Sequence, residues 1–372
     1  QDVSVTPDSK QIVTSSKDGS VRIWNLETIS AVQVINAHKS DILQTVISPK
    51  TGRLITSSHD QTVQIWDLEK GKSLNTFAGH NAAIWSVNIT PDERFLVTGA
   101  TDNLARVWDL KTKELSKVLK GHKKGILASA ITQDGSRLVT GSMDQTARIW
   151  DLETGALLKV LSGHKNAILT VTITPDGKRV VTGSSDKAIK VWDMATGTEV
   201  TTLNGHKQAV WSTAVTPDGK LLISGSSDNT ARVWDIATGD VVRVIEGHSE
   251  GIMSVVLTPD GKRLATGSKD HTARVWDVET GRLLQVLKGH EGPIMSAAVT
   301  QNGAQLITGS QDKTIRVWDI DPATHPLRTA PELIAYSGGL TNYRPCLKSH
   351  TIIPVLPYPA PATIWAPEEG CE

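Results

Sequence analysis

The chain has 372 residues, with 39 basic and 39 acidic side chains that leave it formally neutral, and only 4% of its residues are aromatic. A neutral chain lacks the basic footprint on which non-specific nucleic-acid binding rests, so no nucleic-acid partner is expected. Both cysteines, Cys346 and Cys371, lie near one end, so no disulfide framework supports the rest, which suits a reducing, cytoplasmic (intracellular) setting. Neither a signal peptide nor an apolar run long enough for a bilayer is visible, so no membrane association is expected.

Length alone would allow two or three domains, but an internal repeat overrides that. Tryptophan recurs at 24, 66, 108, 150, 192, 234, 276 and 318, a constant step of 42 residues, and histidine keeps the same step at 38, 80, 122, 164, 206, 248 and 290. An unbroken period of this length signals repeated supersecondary units that share one core. It assigns residues 1–320 to eight units and leaves 321–372 as a Pro-rich tail.

In the first unit Gln1 stands 23 residues before Trp24, the place held by Leu43, Trp85 and Leu169 in later units. The sequence therefore opens inside a first strand, and the expectation is a piece of a larger polypeptide. This unit has no repeat histidine of its own and carries Asn25 where the others have Asp, so it is expected to be the least stable. Units two to eight run without insertion, with departures only at turns: Ala37 before His38, and Gln133 and Gln301 in place of the turn proline.

The fifth unit shows the elements most plainly. Residues 168–174 alternate and are rich in β-branched side chains, as a half-buried strand requires. Pro175-Asp176-Gly177 is a turn, because Pro presets φ and Gly accepts a positive φ. Residues 179–183 and 188–192 read as second and third strands, linked tightly by 184–187, and 198–203 as a fourth after the turn at 193–197. No segment holds a helical apolar period. Four short antiparallel strands make a blade that cannot bury both faces alone, so the units must pack on one another. After the eighth unit, residues 327–330 are a weak candidate for its fourth strand, crowded by Pro326 and Pro331. The rest of the tail is predicted to be disordered or only loosely docked, with an extended polyproline stretch from Pro354, a candidate ligand for an adaptor domain.

Gly163-His164, Asp186 in the turn before the third strand and Trp192-Asp193 together resemble the WD-repeat β-propeller family, as do their counterparts in the other units. The resemblance spans residues 1–320 and implies an all-β propeller of four-stranded antiparallel blades. Eight strand sets imply eight blades, as a closed ring or as part of a larger array. It also implies a hydrogen-bond network inside each blade, here His164, Thr182, Asp186 and Trp192. The residue types fit that role independently. An Asp six residues before each Trp (18, 60, 102, 144, 186, 228, 270, 312) is an acceptor. A hydroxyl ten residues before each Trp (Thr14, Thr56, Thr98, Thr140, Thr182, Ser224, Thr266, Thr308) can donate or accept. Repetition of one constellation argues against a catalytic triad, which is a single exceptional site. Isolated histidines, with no Cys nearby and no second His at ligand spacing, argue against metal, and no cofactor is expected.

Function must then come from positions that vary. The residue 23 before each Trp is Leu43, Trp85, Leu127, Leu169, Trp211, Met253 and Met295. The propeller resemblance places it at the mouth of the central channel, where partners commonly bind. The alternative is that it tops the core of each first strand. The residue seven before each Trp varies widely and includes His59, Met143, Lys269 and Gln311. Lys39, Lys123, Lys124, Lys165 and Lys207 follow the histidines of units two and four to six, whereas Glu250 and Glu291 follow those of seven and eight. The expectation is a non-catalytic platform for a protein or peptide ligand, with an enzyme pocket at the channel mouth as the rival. The chain also resembles the sensor propellers of NACHT-type signalling NTPases, although it carries no nucleotide-binding motif.

Overall fold

The β-branched stretches form strands close to where their pattern ends. In the computed structural model the fifth unit runs Ile168–Ile173, Arg179–Ser184, Ile189–Asp193 and Glu199–Leu203, each boundary within one residue of the expected one. The structure describes residues 2–25, 30–36, 38–67, 70, 72–312, 314–321 and 350–354. The Pro-Asp-Gly turn works as its residues dictate: Gly177 sits at φ 70°, and its N–H donates to Thr174 O at 2.8 Å. The Thr174 hydroxyl donates to Asp176 Oδ1 at 2.6 Å.

Among the described residues there are eight four-stranded antiparallel sheets, each in simple meander order, and no helix. First strands of neighbouring blades pack together and line the centre. The ring closes: Val3, Ile12 and Trp24 of blade 1 share a core with Ile307 and Val317 of blade 8. The Gln301 N–H donates to Ser9 Oγ across that junction at 3.0 Å. The fourth strand of blade 8 is His350–Pro354, which pairs with Thr314–Asp319. The strand proposed at residues 327–330 lies outside the described residues, so blade 8 is completed from a stretch that the sequence reading left to the tail.

Each core belongs to two blades. Val139, Ala147, Ile149 and Leu161 of blade 4 pack against Ile168, Val171, Val180 and Trp192 of blade 5. The approach is close enough that a Cβ on Gly141 would lie 2.7 Å from Ile168 Cγ2. Side chains of this kind each contribute about 1.5–3 kcal/mol when buried.

Inside blades 2–8 the expected network forms. Trp192 Nε1–H donates to Thr182 Oγ1 at 2.9 Å, Thr182 lies 2.8 Å from His164 Nε2, and His164 Nδ1 lies 2.8 Å from Asp186 Oδ2. The same chain is built on His38, His80, His122, His206, His248 and His290. An indole only donates and a carboxylate only accepts, so the protons run one way, with neutral imidazole donating through Nδ1. Burial accordingly holds His38, His80, His122, His248 and His290 below the ordinary imidazole range. For Asp144 burial pushes upward but is outweighed by hydrogen bonds from Thr146, the Lys123 N–H and His122, leaving it at about 2. Asp186 is likewise held at about 2 against burial, by His164 and by the N–H groups of Lys165 and Ala188. Blade 1 keeps only part of this: Trp24 donates to Thr14, while the Asp18 side chain is 53% exposed beside Arg22.

Two predictions follow from the network. Asp186→Ala removes the acceptor from a buried imidazole and is expected to cost about 1–3 kcal/mol in denaturant unfolding, whereas Asp18→Ala costs distinctly less. Equal losses would refute the network's role. The pH dependence has a definite sign. Histidines with lowered folded pKa stabilise fully above the unfolded value of about 6.5 and progressively less as pH falls through the folded value. Asp144 and Asp186 act in the same direction at lower pH, between the unfolded value of about 3.9 and the folded one. Melting temperature is therefore expected to fall on acidification from about pH 7 to about pH 5, and a flat or rising profile would contradict it.

Candidate functional site: the loop face of the ring

The loops that follow the histidines and the turns between second and third strands lie at one end of every blade, held there by the aspartate of the network. Its Oδ2 also accepts the N–H of the residue after the histidine: Lys39 at 3.0 Å, Lys123 at 2.8 Å, Lys165 and Lys207 at 2.7 Å, and Glu291 at 2.8 Å. A second staple joins loop to turn. His59 N–H donates to Asp41 O, Met143 to Gly125 O, Lys269 to Gly251 O and Gln311 to Pro293 O, all at 2.8–2.9 Å.

Immediately beyond that staple the first strands of blades 2–8 carry a bulge. In blade 5 Ile168 faces Ser184 and Thr170 faces Gly183, so Leu169 is the extra residue. The same interruption leaves out Leu43, Trp85, Leu127, Trp211, Met253 and Met295. All seven variable apolar positions are therefore bulge residues, and a bulge re-aims the side chain it carries. The core position is the residue before: Ile42, Ile84, Ile126, Ile168, Val210, Ile252 and Ile294 are buried. Trp85 and Trp211 are 41% and 38% exposed, and the other five bulge residues are half-buried.

The structure brings the two variable positions together. The His59 ring of blade 2 packs on Trp85 of blade 3, with centroids 5.8 Å apart and planes tilted by 59°. Trp211 instead leans on its own blade, its indole N–H donating to Ser227 Oγ at 2.7 Å. Met143 is 43% exposed, Gln311 is exposed and Lys269 is half-buried. Lys39, Lys123, Lys124, Lys165, Lys207, Glu250 and Glu291 are all exposed, with the lysines and glutamates on different blades. Sequence reasoning missed the bulges, although paired apolar residues such as Ile84-Trp85 break the alternation of a regular strand and are their signal. Ser227 stands at the same variable turn position as His59, seven before Trp234, but its hydroxyl's hold on Trp211 was not foreseen.

The arrangement can bind through apolar and charged side chains. Among the described residues no group of three His, Cys, Asp or Glu side chains is placed to hold a metal ion. No helix among them is long and apolar enough to cross a membrane.

The chain matches the WD domain, G-beta repeat family over residues 1–25, 29–67, 71–109, 113–151, 155–193, 197–235, 239–277 and 281–319. Among solved structures it is similar to the computationally designed Ika8 protein, in its crystal packing No.1 in P63. That likeness has a TM-score of 0.78 and 28% sequence identity, and covers 86% of this chain and 95% of that one. A comparison with curated proteins finds no match. Propellers of the matched family generally serve as non-catalytic scaffolds that bind other proteins. With eight matched repeats and eight blades closed into a ring, the chain belongs to the WD40 family.

Proposed function

We propose that the loop face is a docking platform for a protein or peptide partner, anchored on the ring Leu43, Trp85, Leu127, Leu169, Trp211, Met253 and Met295. The observation that supports this most directly is the repeated bulge, which takes an apolar side chain out of the core register at the same level in seven blades. Clustered apolar surface of this kind marks interaction sites. Both indoles are already held, one by His59 and one by Ser227, so little side-chain freedom is lost when a partner covers them. The lysines of blades 2 and 4–6 and the glutamates of blades 7 and 8 form a rim of two signs, which fixes a partner's orientation more than its affinity.

Trp85 and Trp211 stand three blades apart, so one extended ligand can reach both. Trp85→Ala and Trp211→Ala are each expected to weaken binding of a captured partner by about 2 kcal/mol or more. Melting temperature should stay nearly unchanged, because neither side chain is in the core. Lys178→Ala, at the opposite end of blade 5, serves as the unaffected control. A large fall in melting temperature, or undiminished binding by both tryptophan variants, would overturn the proposal.

A further inference from the structure

The seam between blades 2 and 3 breaks the pattern that closes the four seams after it. In four successive seams the fourth strand of one blade lays a side chain over a turn glycine of the next: Lys117 on Gly155, Lys159 on Gly197, Thr201 on Gly239 and Arg243 on Gly281. The fit leaves no room for a Cβ, which on Gly197 would lie 3.0 Å from Lys159 Cγ. Leu152, Met194, Ile236 and Val278, three residues before these glycines, are consequently buried. At blades 2 and 3 the equivalent pair is Asn75 and Lys113. The turn here has no glycine to receive the fourth-strand side chain, and Lys113 holds the left-handed conformation at φ 64°. Leu110, the counterpart of Leu152, is only half-buried.

The result is a cleft of about 390 Å³, within the size class of small-molecule sites. It opens at the end of the ring opposite the loop face, beside the turns 48–53 and 109–113. Its walls are Ile55, Ile65, Leu74, Phe77, Ile89 and Leu110. Asn75 Nδ2 is buried there with no hydrogen-bond partner among the described residues. A buried donor left unpaired is costly, and a ligand acceptor removes that cost. Arg53, Lys111 and Lys113 also line the cleft, exposed, with side chains that make no ion pair or hydrogen bond to a described residue. The one acid present, Glu93, is already engaged by the Ser48 hydroxyl at 2.7 Å and the N–H groups of Lys50 and Thr51 at 2.6 and 3.1 Å. The unspent chemistry is therefore an apolar floor, one amide donor and three cations.

We infer that this cleft binds a small amphipathic carboxylate, its hydrocarbon tail against Phe77 and the isoleucines and its carboxylate accepting from Asn75 Nδ2 beside Arg53, Lys111 and Lys113. The site is separate from the loop face and does not depend on it. The test titrates the full chain with n-octanoate, using octanol as the uncharged control, and follows binding by calorimetry and by the Asn75 side-chain amide resonances. Octanoate is expected to saturate one site, shift those resonances, and bind at least about tenfold more tightly than octanol. The double variant Asn75→Lys, Lys113→Gly, which restores the pattern of the neighbouring seams, should lose octanoate binding at least about tenfold while keeping its melting temperature. Arg53→Ala with Lys111→Ala should weaken octanoate and leave octanol unchanged, a comparison that remains decisive if the first variant does not fold. Failure of octanoate to saturate, equal affinity for octanol, or undiminished binding by the double variant with the restored pattern would each overturn the inference.

Discussion

The indole N–H of each repeat tryptophan gives its proton to a strand hydroxyl, the hydroxyl stands against imidazole Nε2, and Nδ1 ends the chain on an aspartate. This run of polar contacts crosses the third strand, the second strand, the loop before the first strand and the turn between second and third. Because donor roles run one way, no member can be removed without stranding another in a place water does not reach. The loop face depends on it directly. The same aspartate holds the loop that carries Lys165 in blade 5 or Glu291 in blade 8, and the bulge begins a few residues further on. Architecture and surface chemistry thus meet in the few residues that run from the histidine to the bulge.

Much of this was legible in the sequence because repetition multiplies weak local signals. A single Asp-turn-Trp pattern means little, whereas eight at a step of 42 residues fix the number of blades and the members of the network. Strand boundaries followed from β-branched alternation and Pro-Asp-Gly turns, whose geometry is local. What was not legible depends on relations between units. That Trp85 reaches back to His59 of the preceding blade, whereas Trp211 turns to its own Ser227, depends on three-dimensional neighbours. The pairing of His350–Pro354 with blade 8 spans a long stretch of chain, and its one local sign was the β-branched run Thr351-Ile352-Ile353 within Pro-rich surroundings. The cleft between blades 2 and 3 was hidden for another reason: it comes from two substitutions, Asn75 and Lys113, that matter only because they face each other.

The network residues are interchangeable among seven blades and so carry no address. What distinguishes one blade from the next is confined to a few sites: the bulge residue, the turn residue seven before the tryptophan, the loop after the histidine, and the seam-closing pair. Each lies at the edge of a sheet or at a turn, where a change of side chain leaves the backbone hydrogen bonds of the sheet intact. The ring tolerates variety there because the shared cores are buried one residue away, as Ile84 is beside Trp85.

The invariant step between units also makes the loop face a graduated dial. On the docking face proposed above, anchors can be separated only by whole numbers of blades, and a ligand shifted by one graduation meets the same backbone with a different set of side chains. Seven bulges of equal height offer many nearly equivalent seats, and a ligand reading only greasiness would slip among them. The two indoles remove most of that degeneracy. They lie three graduations apart in one direction and five in the other, so a rigid partner with two aromatic-accepting pockets has a single angular setting, apart from exchange of its own ends. The opposed lysine and glutamate sectors then separate those two orientations. Near-perfect repetition in the scaffold is in this way compatible with a surface that has one zero mark.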